Sequence, residues 1–445
     1  MLWNRIVDKV VKQMFIEAVT QASKDRKDDA IKRLSYYMDE HVSYIEKSLE
    51  LHYKSPELFS PTFFNVCKKI INQLAMTYIS DAQRSVQGTS SDDAIYKEIV
   101  ESTSLNSKMK VCSRFTQLLK TTMLQPVWRR GKMDLDLLTP DLLDVIIGDT
   151  PEQLQQVLVT DYPQTGEPKD VVYDLWDDGT YRKLDYRGFT TETTPNPYQI
   201  IPMIPVWSSY PTGGMFWQAG GDDIINIQSA INEKLTDLLV VIRQEGFGQA
   251  VIKGVKADHG TIEVGPGVTV EIPDPQGDFY YAKTHAPIKA VLDAIDFLVK
   301  QLAVSNGLPA SSLSVKPTQE SGLARISGNR ELEELRRDQI SLFTTYEKRL
   351  FNMFRTVWNY HNPSRKMTDK AILKLDFFDP KPTLSPDKEV EKWKMELDMQ
   401  VKSRVDVLMA MNPDLSRQDA IKRLKEIDAD NKQFPVERDV KPEGV

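Results

Sequence analysis

The sequence has few of the residues from which catalytic and metal sites are usually built. Two cysteines and five histidines are spread over 445 residues. No phosphate-binding loop of the GxxxxGK[ST] type occurs, and no HExxH, CxxC or GxSxG motif. We therefore expect a protein that is not an enzyme and that uses no cofactor and no metal ion.

The cysteines and histidines that are present do not form a site. Cys67 and Cys112 lie in helical patterns far apart in sequence, and a single pair is neither a disulfide framework nor a zinc site, so two buried thiols are predicted. His41 and His52 fit one face of a single helix, but at about 1.5 Å per residue they lie about 16 Å apart, too far to hold one metal ion. We predict that both imidazoles are solvated.

Positive charge is not in excess, and long apolar runs are absent. Fifty-seven Lys and Arg against 64 Asp and Glu give a net charge of −7, which argues against a surface that binds nucleic acid throughout. No stretch approaches the roughly 18 uninterrupted apolar residues of a membrane span, and the N-terminus MLWNRIVDKVVKQMF is charged too often for a signal peptide. The expectation is a soluble, intracellular protein whose contact with DNA, if any, is local.

Hydrophobic spacing divides the first half of the chain into a helical and a β region. Up to about Met123, apolar residues recur every three or four positions, which predicts helices. Alternating residues in LQPVWRRGKMDLDLLTP and around the turn at 177–179 predict strands and a hairpin. Five prolines between residues 193 and 217 exclude a regular helix or a central strand, so an extended connection is expected there.

The second half alternates helices with short β or polar segments. The predicted order is a helix at 222–245 opened by Asp222 or Asp223, a small β-module at 249–286, a helix at 287–305, a polar loop at 309–328, a helix at about 329–361 and a short strand in AILKLDFF. Two further helices follow Ser385-Pro386, the last opening at Ser416 with Asp419 three residues on, and the tail is predicted to be disordered. The basic pairs 129–130 and 336–337 are expected on solvated faces.

The helices at 222–245 and 287–305 have broad apolar faces with few charges. Such faces are wider than one partner helix covers, so we predict that they pack between subunits. The residues predicted to make this contact are Ile231, Leu235, Leu238, Ile295 and Leu298.

The order of these elements, together with several short motifs, resembles the portal proteins of tailed bacteriophages, particularly of the long-tailed type. The motifs are NPYQIIPMIPVW (196–207), DDIINIQSAINEKLTDLL (222–239), NGLPASSLSVKPTQESGLARISGNRELEELRR (306–337), LDFFDPKP (375–382) and MNPDLSRQDAIKRLKEI (411–427). With element order, the resemblance covers roughly residues 120–430.

The resemblance implies an α+β, mainly α subunit that assembles into a ring, usually of about twelve copies, around a central channel. The implied regions are a wing at 1–218, stem helices at 219–248 and 287–308, a clip at 249–286, a tunnel loop at 309–328, a wing helix and strand at 329–384, a crown at 385–431 and a tail at 432–445.

The same resemblance implies a passive channel for packaging and ejection of double-stranded DNA, located in the virion at one capsid vertex and made in the host bacterial cytoplasm. Lys316, Gln319 and Arg325 of the tunnel loop would touch DNA non-specifically, and Lys253 and Lys256 of the clip would dock partners. Implied partners are the terminase large subunit, a head-tail adaptor, and the major capsid and scaffolding proteins, with no membrane. The alternative that remains open is a helical adaptor or scaffold that does not contact DNA.

Overall fold

The chain is an α+β protein built from helices and antiparallel sheets. The computed structural model describes residues 11, 14, 17–18, 20–52, 60–163, 166–247, 249–253, 276, 278–282, 288–313, 330–377, 386–412 and 415–433. Contacts divide the chain into two compact units, Met1–Phe378 and Asp379–Val445, which are treated separately below.

The N-terminal part is helical, as predicted. Its helices are α1 (Gln21–Tyr37), α2 (Val42–His52), α3 (Val66–Leu74), α4 (Ser90–Thr103) and α5 (Leu105–Leu119). Their starts are fixed by caps: the Thr20 hydroxyl accepts a bond from the Ser23 N–H, and Thr89 and Asp92 form a capping box at α4.

One segment of this region is a strand rather than a helix. Strand β1 (Gln83–Gln87) pairs antiparallel with β12 (Ile372–Asp376), the strand predicted in AILKLDFF. Only Val86 of β1 is buried, so its sequence carries almost no apolar periodicity. The helical prediction is wrong here because the strand is specified by a partner almost 300 residues later in the chain.

The predicted β region contains two sheets. The first has β2 (Thr121–Arg129) between β3 (Lys132–Leu138) and β9 (Ile204–Trp207). The β2–β3 hairpin turns through Arg130 and Gly131, whose φ angles of 52° and 75° are those of a two-residue turn that matches strand twist. Strand β9 lies within the proline-rich connection, where Pro205 is tolerated because β9 is an edge strand.

The second sheet is a meander. Its strands β4 (Leu143–Ile147), β5 (Leu154–Asp161), β6 (Val172–Trp176), β7 (Thr180–Leu184) and β8 (Thr190–Pro195) pair antiparallel in chain order. The predicted hairpin at 177–179 joins β6 to β7, where the Asp177 carboxylate accepts bonds from the N–H groups of Gly179 (2.9 Å) and Thr180 (2.6 Å).

The described helices and strands between residues 222 and 361 agree with the predicted ones. They are α6 (Asp222–Phe247), β10 (Gln249–Lys253), β11 (Asp278–Ala282), α7 (Ile288–Ser305) and α8 (Arg330–His361). Gly246 lies inside α6 and does not end it. Arg336 of α8 is only 6% exposed, so its predicted solvated position is wrong, while Arg337 is exposed as predicted.

Two apolar cores carry most of the first unit. In one, α8 packs its aromatic stripe, including Phe343 and Phe354, against β2 and β9, where Trp207 is fully buried. In the other, α1 and α3 pack against α6 and α7. The thiols of Cys67 and Cys112 are free and buried in these cores, which confirms the sequence prediction, and burial raises the pKa of each to about 12.

The second unit contains three described helices rather than the two predicted: α9 (Pro386–Asp398), α10 (Arg404–Met411) and α11 (Arg417–Gln433). Ser403 and Asp406 form a capping box that starts α10, a signal the sequence analysis overlooked. The predicted start of α11 is confirmed, since the Ser416 hydroxyl accepts a bond from the Asp419 N–H at 3.2 Å.

His41 is fully buried, so its predicted solvation is wrong. Its ring stacks on Tyr36 with centroids 4.5 Å apart, and the Phe63 ring lies 4.4 Å away. These aromatic neighbours come from α1 and from the segment before α3. Burial lowers the pKa of His41 below its ordinary value of about 6.5.

The buried imidazole is expected to make the first unit less stable in mild acid. Because the folded-state pKa is below the unfolded one, the unfolded chain binds the proton more tightly. Stability is therefore full above pH about 6.5 and is lost as pH falls through the lower, folded-state pKa. Urea unfolding measured between pH 8 and 5 gives the free energy of unfolding at each pH. In His41→Phe this free energy should fall less steeply with decreasing pH than in the unmodified protein. An equally steep fall would show that His41 does not cause the pH dependence.

Candidate assembly surface and channel residues

Helices α6 and α7 form an antiparallel pair. The amide of Asn306, just after α7, donates to the Asp223 carboxylate in the first turn of α6 at 3.2 Å, so one end of the pair is joined. At the other end, β10 and β11 pair from Gln249 opposite Ala282 to Lys253 opposite Asp278. Asp222 and Asp223 favour the helix start because their charge complements its dipole.

The start of α6 is fixed by Arg33 of α1. The Arg33 guanidinium donates to the carbonyls of Leu118 (3.2 Å) and Gly220 (2.7 Å) and forms an ion pair with Asp222. Gly221 has a φ of 83°, and a Cβ there would lie 2.9 Å from Cε of Lys120. Glycine is favoured at 221 because of this backbone angle, and its lack of a Cβ lets the ends of the Lys120 and Arg33 side chains approach the backbone.

A ladder of buried polar side chains, Gln228, Asn232 and Thr236, runs along α6, and all three are at most 1% exposed. The Gln228 carbonyl accepts bonds from the N–H groups of Val66 (2.8 Å) and Cys67 (2.9 Å), the first residues of α3. Its amide donates to the Phe64 carbonyl at 3.0 Å and to Asn232 at 2.7 Å. The ladder thus supplies the acceptor of the Cys67 N–H and adds a second bond at the Val66 N–H and the Phe64 carbonyl, which also bond to each other at 3.1 Å.

The residues predicted to pack between subunits lie against the core of their own subunit. Ile231, Leu238 and Ile295 are at most 7% exposed, and Leu235 and Leu298 are partly buried against the same cluster. Contact of these residues with another subunit stays a prediction. An aspartate at Ile231 or Ile295 would damage the subunit itself, so it is not a clean probe of assembly.

Other apolar side chains on the same two helices are exposed. On α6 they are Leu239 (48%) and Ile242 (45%), and on α7 they are Leu292 (49%), Phe297 (62%) and Val304 (55%). The sequence analysis did not name these five residues. The breadth of the apolar faces on both helices was the feature that could have indicated them. Exposed apolar side chains that lie side by side mark interaction surfaces, and Leu239 with Ile242 on α6 and Phe297 with Val304 on α7 each share one face of their helix. We call these five residues the assembly surface.

Two cavities lie beside Trp217, with volumes of about 480 Å³ and 470 Å³. Between them, the Arg26 guanidinium stands 3.9 Å above the Trp217 ring and donates to the buried Asp144 carboxylate at 2.7 Å. These groups hold α1 against β4.

Within the described part of the chain, no group of three or more His, Cys, Asp or Glu side chains is placed to bind a metal ion.

The predicted channel and docking residues fall mostly outside the described residues. Lys316, Gln319, Arg325 and Lys256 all lie there. Lys253 is the last residue of β10, paired with Asp278, and the direction of its side chain is not described. The roles of all five stay predictions.

Three solved structures contain chains that are similar to this one over most of its length, with low TM-scores and low sequence identity. No protein-family model and no curated protein matches the chain. A chain in the neck of an empty gene transfer agent (GTA) particle, computed with C6 symmetry, is 13% identical and has a TM-score of 0.43, over 81% of this chain and 90% of that one. A chain in the virion of a native GTA particle gives 12% and 0.42, over 77% and 88%. A chain in the neck of the native particle, computed with C12 symmetry, gives 11% and 0.42, over 78% and 90%.

No helix in the described ranges has both the length and the apolar character needed to cross a bilayer.

Proposed function

We propose that this chain is a portal protein, a virion component that forms a ring at one capsid vertex and conducts double-stranded DNA. The observation that carries the proposal is the antiparallel pair α6 and α7, joined at one end by the β10–β11 pair and bearing exposed apolar side chains. The 32-residue helix α8 follows in the order that the sequence resemblance requires.

The assembly surface favours a homo-oligomer. Leu239 and Ile242 lie on one helix of the pair, and Leu292, Phe297 and Val304 on the other. When two different patches of one subunit meet on its neighbours, the contact repeats head to tail and closes into a ring if the rotation allows. A ring of about twelve copies is the proposed assembly.

The proposed channel is passive and needs no catalytic group, cofactor or metal ion. Lys316, Gln319 and Arg325 would make weak contacts with passing DNA, since a strongly basic channel would hold a duplex that carries one charge per ~1.7 Å. A net charge of −7 agrees with weak contact. Lys253 and Lys256 would dock the terminase large subunit and a head-tail adaptor, and the major capsid and scaffolding proteins would surround the ring.

Electron microscopy of the purified protein tests this proposal directly. End-on views should show a closed ring of about twelve subunits with an axial opening wider than a DNA duplex, which is ~20 Å across. A monomer or dimer at micromolar concentration would instead favour a helical adaptor or scaffold that does not contact DNA.

Charge on the assembly surface should prevent ring formation. Burying one such side chain contributes about 1.5–3 kcal/mol, and the loss recurs at every interface of a ring, so Phe297→Asp and Leu239→Asp should give monomers in native mass spectrometry. Ile372→Asp is the matched control and should assemble normally, because this apolar side chain of β12 is as exposed as Phe297 (61%) but lies on neither helix of the pair. Unchanged rings from both apolar variants, with unchanged thermal unfolding of the subunit, would exclude this surface from assembly.

A further inference from the structure

Strand β8 lies at the end of the meander sheet and pairs on one side only. Its residues Thr190–Pro195 pair with β7, and all of them except Thr194 are exposed. No backbone group of β8 bonds to any other element within the described ranges. The outer N–H and C=O groups of β8 therefore form an open edge.

Natural proteins usually block such an edge with lysine, proline, a bulge or a covering element. β8 has the sequence TTETTP, in which threonine favours extended backbone and the proline comes last. A bulge at Lys183/Leu184 distorts the pairing only near Thr190, so the register from Glu192 to Pro195 is regular. The Asn196 N–H bonds inward to the Gly179 carbonyl, so by alternation Thr193 and Pro195 face outward. The regular part of the edge therefore offers another strand the Thr193 N–H and the carbonyls of Thr193 and Pro195.

β8 itself carries one charged side chain, that of Glu192. Strand register places Glu192, Asp174 and Asp161 on one face of the sheet, with Lys183 between the first two. Burial raises the pKa of Asp174, and the nearby carboxylates of Asp161 and Glu192 raise it further. Glu192, the charged side chain of the edge strand, favours a partner with a positive charge beside it, and the carboxylates further into the sheet add a weaker attraction.

An apolar side chain stands at the start of the same edge. Phe189, which immediately precedes β8, is 67% exposed. The turn that presents it is ordered, since the Asp185 N–H donates to the Phe189 carbonyl at 2.9 Å and the Gly188 N–H to the Asp185 carbonyl at 2.8 Å. A β-branched side chain on an added strand would bury part of this ring.

We propose that the outer edge of β8 binds an extended segment of another polypeptide through main-chain hydrogen bonds, with a lysine or arginine beside Glu192 and a β-branched residue against Phe189. This is strand addition to a sheet edge. It rests on the sheet alone and does not require the ring or the DNA channel.

The probe is the acetylated and amidated heptapeptide Thr-Val-Thr-Lys-Thr-Val-Thr, labelled for fluorescence anisotropy. Two further peptides carry N-methyl groups, one at positions 3 and 5 and the other at positions 2, 4 and 6. Because alternate N–H groups of a strand point to opposite sides, one set should lose about tenfold or more in affinity while the other binds like the parent. No binding of the parent peptide, or equal binding of all three, would overturn the proposal.

Charge variants test the chemistry of the partner. Glu192→Lys should weaken the lysine peptide about fivefold or more and strengthen a peptide with glutamate in its place. Asp149→Lys makes the same charge change in the β4–β5 turn, at the opposite edge of the sheet, and should leave both affinities unchanged. Sedimentation without peptide completes the test: self-association that Thr193→Pro and Glu192→Lys both abolish would show that a second copy occupies the edge, against the proposal.

Discussion

Replacing Glu347 by alanine is expected to lower the free energy of unfolding of the first unit by about 3–5 kcal/mol. Glu347 of α8 is fully buried and accepts bonds from Arg84 of β1 at 2.5 and 3.0 Å and from the Tyr78 hydroxyl at 2.7 Å. The side chain of Arg84 is only 3% exposed, so removing its partner leaves a buried, unpaired charge. Urea unfolding at pH 7 measures the loss.

The chain offers a matched control for this ion pair. Arg365 and Glu98 also form an Arg–Glu pair, at 2.7 Å, but both side chains are about half exposed. Because water screens exposed charges, Glu98→Ala should cost no more than about 1 kcal/mol. The double variant Arg84→Met/Glu347→Leu should cost less than Glu347→Ala alone. Equal losses from Glu347→Ala and Glu98→Ala would refute the role given to burial.

Replacing Gln228 by methionine, which keeps the length of the side chain, is expected to cost about 2–4 kcal/mol. The change removes the acceptor of the Cys67 N–H and the donor to the Asn232 side-chain carbonyl, whereas the Val66 N–H and the Phe64 carbonyl keep the bond that they make with each other. Each buried polar group left without a partner costs about 1–3 kcal/mol, and the penalties are not fully additive. The loss should appear in urea unfolding and as faster hydrogen exchange at the Val66 and Cys67 amides.

Gln301→Met is the control for this prediction. It makes the same replacement on an exposed face of α7 and should change stability by less than about 0.5 kcal/mol. If Gln228→Met unfolds like Gln301→Met and hydrogen exchange at the start of α3 is unchanged, the ladder does not hold α3.

Sequence reasoning succeeded where one element carries its own signal. The apolar stripe of α8 extends over 32 residues. In the turn at 177–179, the Asp177 carboxylate accepts a bond from the Gly179 N–H. Neither element needs a partner distant in sequence. Strand β1 and the burial of His41 were missed because each is determined by residues distant in sequence, β12 in the first case and Phe63 in the second.

The same limit applies to the candidate site. In the sequence, Ile231 and Phe297 are both apolar residues on amphipathic helices, and spacing alone does not say which face the subunit covers with its own α1 and α3. The structure buries the first and exposes the second. The predicted stem contacts thus include side chains that the subunit itself buries, and whether they also contact a neighbour stays a prediction.

The ladder of Gln228, Asn232 and Thr236 also opposes movement of α6 along its own axis relative to α3. Its members are four residues apart, about one helical turn, so a shift of one turn would bring Asn232 to the position of Gln228. The side chain of Asn232 is one methylene shorter, and its amide would not reach the N–H groups of Val66 and Cys67. The hydrogen bonds of the ladder therefore form at only one position of α6 along its axis relative to α3. A displacement of the α6–α7 pair along its axis must either carry α3 with it or expose the first amides of α3.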